Sequence, residues 1–117
     1  MAAAAVSPCM EALVRDYYHA IDDGEYGTLG DLLVPDFVQH RPDRTLEGRD
    51  RFVAFMRDER PDPDTTHEVE AVFTRAGGAA AEGRLLRADG EEWFRFVDVF
   101  DVRGDRLASL RTYTNGG

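Results

Sequence analysis

The chain has 117 residues, of which 43% are hydrophobic and 10% aromatic, so it has room for one domain with one core and is too apolar to be disordered. Its net charge is −9, all 14 basic residues are arginine, and lysine is absent. An acidic surface repels phosphate groups, which argues against nucleic acid and anionic membranes as partners.

Cysteine content and the absence of sorting patterns point to a cytoplasmic protein. Cys9 is the single cysteine, so neither an internal disulfide nor a cysteine-based zinc site is expected, and we interpret Cys9 as an ordinary thiol. No apolar run approaches the roughly 20 residues of a membrane span. The alanine-rich start lacks the regions of a signal peptide, so we expect residues 1–6 to be frayed or disordered.

The first half of the chain has helical patterns. Ser7 and Pro8 are typical of a helix start, and Gly24 is typical of a stop. Between them lies one apolar stripe at helical spacing, which consists of Met10, Leu13, Val14, Tyr17, Tyr18 and Ile21. A second, short helix is predicted from Tyr26 to Pro35, then a brief extended segment over residues 36–40. A loop to Gly48 and a third helix ending at Pro61 follow.

From Thr65 onward apolar residues recur at every second position, which indicates strands. Four strands are predicted to begin near Thr65, Ala79, Trp93 and Arg106, and tight turns with glycine join them. The first strand is expected to present His67, Val69, Ala71 and Phe73 on one face. The third is expected to present Phe94, Phe96, Asp98 and Phe100 on one face. Consecutive strands joined by tight turns form an antiparallel meander, which predicts an α+β domain.

Four stretches of sequence, in this order and spacing, resemble the ketosteroid isomerases and SnoaL-like polyketide cyclases of the nuclear transport factor 2-like superfamily. They are VRDYYHAIDDG at 14–24, LVPDFVQHRP at 33–42, LEGRDRF at 46–52, and VDVF at 97–100 with RLASLRTY at 106–113. The resemblance implies that residues 1–117 form a single cone-shaped domain. Three N-terminal helices would pack on a curved, mostly antiparallel sheet and enclose a pocket for a small apolar ligand.

The resemblance also implies three polar groups in the pocket. Tyr17 lies where these isomerases carry a helix tyrosine, and Asp98 where they carry a carboxylic acid on the strand before last. His40 lies at the end of the first strand, where the isomerases place a carboxylate base. In this interpretation His40 takes a proton from carbon next to a carbonyl group, while Tyr17 and Asp98 hold the enolate oxygen.

Further residues are expected to line the same pocket. These are Tyr18, His67, Phe37, Phe55, Phe96, Phe100 and Thr112. Thr112 occupies the position of a functional Asp in the cyclases and limonene epoxide hydrolases, so a mechanism that needs that Asp is not expected. The histidines lack the spacing of a helical zinc site and no glycine-rich phosphate loop occurs, so we expect neither a metal nor a cofactor.

Each assignment has a plainer alternative. Asp98 could pair with Arg84 or Arg111, or face water, while His40 could be a backbone-bonded loop residue. Tyr17 and His67 could be ordinary core residues. The function is therefore predicted as an isomerase, cyclase or dehydratase acting on a small apolar carbonyl compound, with ligand binding without turnover and dimerisation as alternatives. A homodimer is expected through a convex sheet face that bears Trp93, Val97 and Val99.

Overall fold

The structure, a computed structural model, describes residues 2–60 and 62–115, with side chains from Met10 onward. The helices are α1 (Ala2–Asp22), α2 (Tyr26–Asp31) and α3 (Arg49–Ala54), and a π turn (Phe55–Glu59) continues α3. The strands are β1 (Leu33–His40), β2 (Thr45–Glu47), β3 (Thr66–Arg75), β4 (Gly78–Leu86), β5 (Glu92–Arg103) and β6 (Arg106–Thr114). This is the α+β architecture that the sequence predicts.

The strands form one sheet in the order β2-β1-β6-β5-β4-β3. Strands β3 to β6 make the expected antiparallel meander, and Gly77, Gly90 and Gly104 adopt positive φ angles of 78°, 88° and 65° in its turns. β1 pairs with β6 in parallel, which places the end of β1 beside the middle of the last strand. That pairing brings the chain after β1 to the edge of the cavity described below.

The core lies between the helices and the inner face of the sheet. The predicted apolar stripe of α1 is buried there, and Val14, Tyr18 and Ile21 are each no more than 2% exposed. Phe37 of β1, Phe52 of α3 and Phe100 of β5 complete the centre of the core at 0% exposure. The helical spacing of the first segment is therefore confirmed by the burial of its side chains.

Three boundaries differ from the sequence predictions. The backbone of α1 is helical from Ala2, so Ser7 lies within the helix, and Met1 lies outside the described residues. α2 ends at Asp31, before Pro35. Pro35 instead lies exposed within β1, at the point where the pairing with β6 is irregular, so its missing N–H group removes no regular ladder hydrogen bond. The short strand β2 pairs with β1 in a segment that was expected to be a loop.

Two β-bulges change which side chains face inward. In β3, Val69 pairs with Gly83 but Ala71 pairs with Glu82, which leaves Glu70 as an extra residue. The predicted continuous face from His67 to Phe73 is therefore wrong: His67 faces the cavity, whereas Phe73 is 60% exposed on the outer face.

The second bulge lies in β5. Leu85 pairs with Phe94 but Leu86 pairs with Glu92, so Trp93 is the extra residue between them. Trp93 consequently lines the cavity beside Phe94, with the Arg87 guanidinium 4.6 Å from the centroid of its ring. The placement of Trp93 on the convex face is corrected, whereas Val97 and Val99 are exposed as expected.

The bulge in β3 generates a stability prediction at Gly83. A Cβ atom at this position would overlap the carbonyl oxygen of Glu68 on the adjacent strand. Gly83→Ala should therefore lower the free energy of unfolding by about 1–3 kcal/mol, measured by urea denaturation. In the control variant Gly27→Ala, the new Cβ on α2 has no atom within 4 Å, and stability should rise by about 0.5–1 kcal/mol. Equal effects of the two substitutions would contradict the close approach at Gly83.

Candidate active site

A cavity of about 320 Å³ opens between α1, the π turn and the inner face of the sheet. This volume is at the lower end of the range of small-molecule sites, roughly 300–1,000 Å³. Its polar lining includes Tyr17, Gln39, Arg41, Arg60, His67, Asp98 and Thr112, and its apolar lining includes Ile21, Met56, Leu85, Trp93, Phe94 and Phe96. The mixture of aromatic walls and a few converging polar groups is typical of a binding or catalytic pocket.

His67, the second residue of β3, lines the cavity. Its position is fixed by Asp22, the last residue of α1. Its ring Nδ1 lies 2.6 Å from Asp22 Oδ1, and its backbone N–H donates to Asp22 Oδ2 over 2.9 Å. The two side chains are only 17% and 11% exposed. Because a carboxylate oxygen accepts hydrogen bonds, Nδ1 carries the hydrogen, and Nε2 of the neutral ring is then the basic atom.

Asp98 lies on the same wall, 5% exposed, on the inward face of β5 between Phe96 and Phe100. The Tyr18 hydroxyl donates to Oδ2 over 2.6 Å, and the Thr112 hydroxyl donates to Oδ1 over 2.7 Å. Burial raises the pKa of the Asp98 carboxyl above its ordinary value, although both hydroxyls and the charges of His67 and Arg41 lower it. Among the described residues, no arginine forms an ion pair with Asp98, and its carboxyl group is buried rather than exposed to bulk water. It lines the cavity instead.

A chain of hydrogen bonds connects Asp98 with the rim of the cavity. Arg41 Nη1 donates to Gln39 Oε1 over 3.3 Å, and Gln39 Nε2 donates to the Thr112 hydroxyl over 3.0 Å. Thr112 in turn donates to Asp98, so each hydrogen bond in the chain is donated in the direction of the Asp98 carboxyl group. Gln39 is 2% exposed, and a polar network at this depth fixes its members because each is satisfied only in this arrangement.

Tyr17 contributes a second hydroxyl group to the cavity. It is 2% exposed, and its ring packs edge-to-face against Tyr18 at 5.0 Å and Phe100 at 5.3 Å between centroids. Its hydroxyl makes no hydrogen bond with any residue that the structure describes, so it is free to bond a ligand. Burial, and then the Asp98 charge, raise the pKa of the Tyr17 phenol well above its ordinary value, so it is a neutral donor near pH 7.

The structure brings together half of the residues proposed from the sequence. Tyr17, His67, Phe96, Asp98 and Thr112 all line the cavity. Tyr18 and Phe100 lie behind this wall, where Tyr18 still contacts Asp98 through its hydroxyl and His67 through its ring, at 5.0 Å between centroids. Phe37 packs against Phe52 in the core, and Phe55 is buried beneath the guanidinium groups of Arg41 and Arg44.

His40 is not among the residues that line the cavity, which corrects the sequence-based assignment. Side chains alternate along β1, and the inward positions at its end are Phe37 and Gln39. His40 is half-buried on the opposite face, where its backbone pairs with Thr45 and Arg111. Gln39 therefore occupies the place in the wall that the resemblance gives to the base.

Sequence reasoning missed several contributors to the site. Alternation from the apolar Phe37 could have placed Gln39 inward. Asp22 carries a weaker signal: an acidic residue in the last turn of a helix is disfavoured by the helix dipole, which suggests a specific partner. The rim residues Arg41 and Arg60 have no signal in the sequence, because their positions depend on how β1 and the π turn meet.

Two kinds of feature are absent from the part of the chain that the structure describes. No group of three or more His, Cys, Asp or Glu side chains is arranged to hold a metal ion. No described helix is both long and apolar enough to cross a membrane.

The raised pKa of Asp98 predicts a specific pH dependence of stability. A carboxyl group whose pKa in the folded protein lies above its ordinary value of 3.8 stabilises the fold least when it is ionised. Its unfavourable effect is absent below pH 3.8 and develops as the pH rises through the folded-state pKa. The stability of the wild type relative to Asp98→Asn should therefore fall as the pH rises above about 4 and level off once the pH exceeds the folded-state pKa, as measured by urea denaturation at a series of pH values. A difference that stays constant, or that changes in the opposite direction, would contradict the burial argument.

Comparisons with known proteins agree with this architecture. A solved structure of a candidate ketosteroid isomerase from Kribbella flavida superposes with a TM-score of 0.83 at 20% identity, and covers 94% of this chain and 80% of its own. A candidate SnoaL-like polyketide cyclase from Jannaschia sp. CCS1 gives 0.78 at 16% identity, with 92% and 86% covered. Bal32a, from a soil-derived mobile gene cassette, gives 0.80 at 19% identity, with 92% and 90% covered.

These likenesses show the fold, and no match was found among curated proteins. The family model of the SnoaL-like domain matches residues 14–110, which include α2, α3, all the strands up to the middle of β6, and every polar residue described above except Thr112. The chain therefore belongs to the SnoaL-like domain family, with the nuclear transport factor 2-like fold.

Proposed function

We propose that this protein is an acid–base enzyme that moves a proton on a small, largely apolar carbonyl compound, with His67 as the general base. The observation that carries the proposal is the pair of His67 and Asp22 in one cavity with Asp98 and Tyr17. A ring held at Nδ1 by a carboxylate, in a pocket with two potential hydrogen-bond donors, is an arrangement suited to enolisation. The proposed chemistry uses side chains of the chain itself.

In the proposed reaction, His67 Nε2 takes a proton from the carbon next to the carbonyl group. The electron pair of that C–H bond forms a new C=C bond, and the π electrons of the carbonyl group move onto its oxygen, which gives an enolate. Tyr17 and the protonated form of Asp98 donate hydrogen bonds to this oxygen, and burial favours that form of Asp98 because it raises the pKa. Return of the proton from Nε2 to a different carbon completes an isomerisation, whereas its transfer to a β-hydroxyl group, which then leaves as water, completes a dehydration.

Asp22 supports the base in two ways. It selects the ring tautomer in which Nε2 is basic, and it stabilises the imidazolium ion that forms when Nε2 accepts the proton. Its second bond, to the backbone N–H of His67, fixes the position of the ring relative to α1. The names of the Kribbella and Jannaschia proteins, an isomerase and a cyclase, agree with chemistry through an enolate in this family.

The base assignment predicts opposite outcomes for two histidine variants. The assay offers the protein small β,γ-unsaturated ketones such as cyclohex-3-enone and follows formation of the conjugated enone by ultraviolet absorbance. His67→Gln should lower kcat/KM by about 10²–10⁴-fold, which is the usual contribution of a general base. The control His40→Gln should leave kcat/KM within about twofold of the wild type.

Reversed results for the two variants would restore His40 as the base and reject His67. If the wild type turned over none of these ketones, the catalytic proposal would fail. A protein that binds a ligand in the same cavity without turnover would then be the better description of this family member.

We further propose that a second copy of the chain covers the outer face of the sheet. Phe73, Val97, Val99 and Tyr113 are 60%, 39%, 38% and 53% exposed there. They form a continuous patch, because Phe73 and Val99 both pair with Ala80 in one row and Val97 pairs with Tyr113 in the next. An apolar patch that spans several strands is typical of an interface between proteins.

A dimer formed through this patch should be disrupted by a charge at its centre. Val97→Arg should convert a wild-type dimer into a monomer in size-exclusion chromatography with light scattering. Thr28→Arg, at an exposed position on α2, should leave the dimer intact. A monomeric wild type, or a dimeric Val97→Arg variant, would exclude this interface.

A further inference from the structure

Two arginines, Arg41 and Arg60, line the cavity along one edge. Both are held by the same π turn: the Arg41 guanidinium lies 4.9 Å from the centroid of the Phe55 ring, and Arg60 Nε donates to the carbonyl oxygen of Met56 over 2.8 Å. Adjacent residues of one rigid turn therefore position two cationic groups beside the same opening. π turns within helices are found frequently at functional sites.

Arg41 uses little of its hydrogen-bonding capacity within the protein. One of its five N–H groups donates to Gln39, and its nearest carboxylate oxygen, on Asp43, lies 3.9 Å from Nε, which is too far for a hydrogen bond. The guanidinium lies over the Phe55 ring at the cavity edge, and the side chain is 26% exposed. Among the residues that the structure describes, several side-chain N–H groups of Arg41 have no hydrogen-bond acceptor.

Arg60 is arranged in a similar way. Besides its bond to Met56, its Nη2 donates to the Tyr26 hydroxyl over 3.1 Å. No carboxylate among the described residues lies within 4.0 Å of Arg60. Other partly buried arginines contact a carboxylate directly, as Arg84 does with Glu68. Arg87, Arg106 and Arg111 have no carboxylate within 4.0 Å among the described residues, but they are exposed. A partly buried arginine without an acidic partner is unusual in a protein with a net charge of −9.

Two carboxylates, Asp43 and Asp62, also line the cavity, but neither takes the place of such a partner. Asp43 is 59% exposed and lies closer to Arg44, at 3.4 Å, than to Arg41. Asp62 accepts a hydrogen bond from the backbone N–H of Asp64 over 3.0 Å within its own turn. Both arginine charges nevertheless act inside the cavity, because they lower the pKa of the Tyr17 phenol against the effect of burial.

We infer that the natural ligand carries an anionic group, of which a carboxylate is the simplest case, and that Arg41 and Arg60 bind it at the π-turn edge of the cavity. This inference rests on the proposed function, since the remainder of the molecule is the apolar carbonyl compound that His67 deprotonates. The planar N–H groups of arginine match the two oxygens of a carboxylate. The substrate class is thereby narrowed to an apolar keto acid or a related anion.

The inference is tested by binding of two matched probes, 2-naphthoate and 2-naphthamide, which share an apolar body and differ in charge. Isothermal titration calorimetry should show the carboxylate binding at least about tenfold more tightly to the wild type, as expected for charge-assisted hydrogen bonds. Arg41→Gln and Arg60→Gln should each remove most of this preference without changing the affinity for the amide. The control Arg44→Gln should leave the ratio of the two affinities within about twofold of the wild-type ratio. Arg44 also contacts Phe55 and Asp43, but it does not line the cavity.

The wild-type comparison does not depend on any variant folding, and thermal unfolding checks the variants. Equal affinity for the two probes, binding of neither, or an equal effect of Arg44→Gln would overturn the inference. His67→Gln should keep the wild-type preference for the carboxylate over the amide, because the arginines that produce this preference are unchanged. Failure of the catalytic proposal would therefore leave the carboxylate preference intact, whereas failure of the arginine site would leave the effect of His67→Gln on turnover intact.

Discussion

The Asp22 carboxylate accepts two hydrogen bonds from a single residue, His67, and so joins the end of α1 to the start of β3. A negative charge in the last turn of a helix is disfavoured by the helix dipole, so this contact opposes the intrinsic preference of α1. Local conflicts of this kind are expected at functional sites, where geometry takes precedence over stability. The position and tautomer of the proposed base both depend on this one carboxylate.

A second buried carboxyl group, Asp98, organises the same wall of the cavity two strands away, on β5. The adjacent tyrosines have different roles. Tyr18 donates to Asp98 from behind the wall, whereas Tyr17 lines the cavity and its hydroxyl bonds no residue that the structure describes. The sheet register places Thr112 directly opposite Asp98, and Thr112 passes the network on toward the rim. Burial raises the pKa of the Asp98 carboxyl, and the proposed mechanism uses its protonated form as a hydrogen-bond donor beside the base on β3 of the same sheet.

Periodicity in the sequence predicted most of the fold, and the remaining errors have local physical causes. The α1 stripe and the alternation around Asp98 follow from burying one face of a helix and of a strand, so both were predictable. His40 was misplaced because its strand is in the opposite phase, with Gln39 facing inward. Bulges at Glu70 and Trp93 arise from pairing with β4, which no pattern within one strand records. The joint placement of Arg41 and Arg60 depends on long-range packing.

The central claim is that Asp22 holds His67 with its hydrogen on Nδ1. With only three histidines in the chain, ¹⁵N-labelled imidazole resonances are readily assigned by comparison with single His→Gln variants at positions 19 and 40. Long-range ¹H–¹⁵N correlation spectra, recorded where the rings are neutral, report the tautomer of each ring directly. We expect the Nδ1–H tautomer for His67 in the wild type and its loss in Asp22→Asn. A predominant Nε2–H tautomer in the wild type would contradict the account.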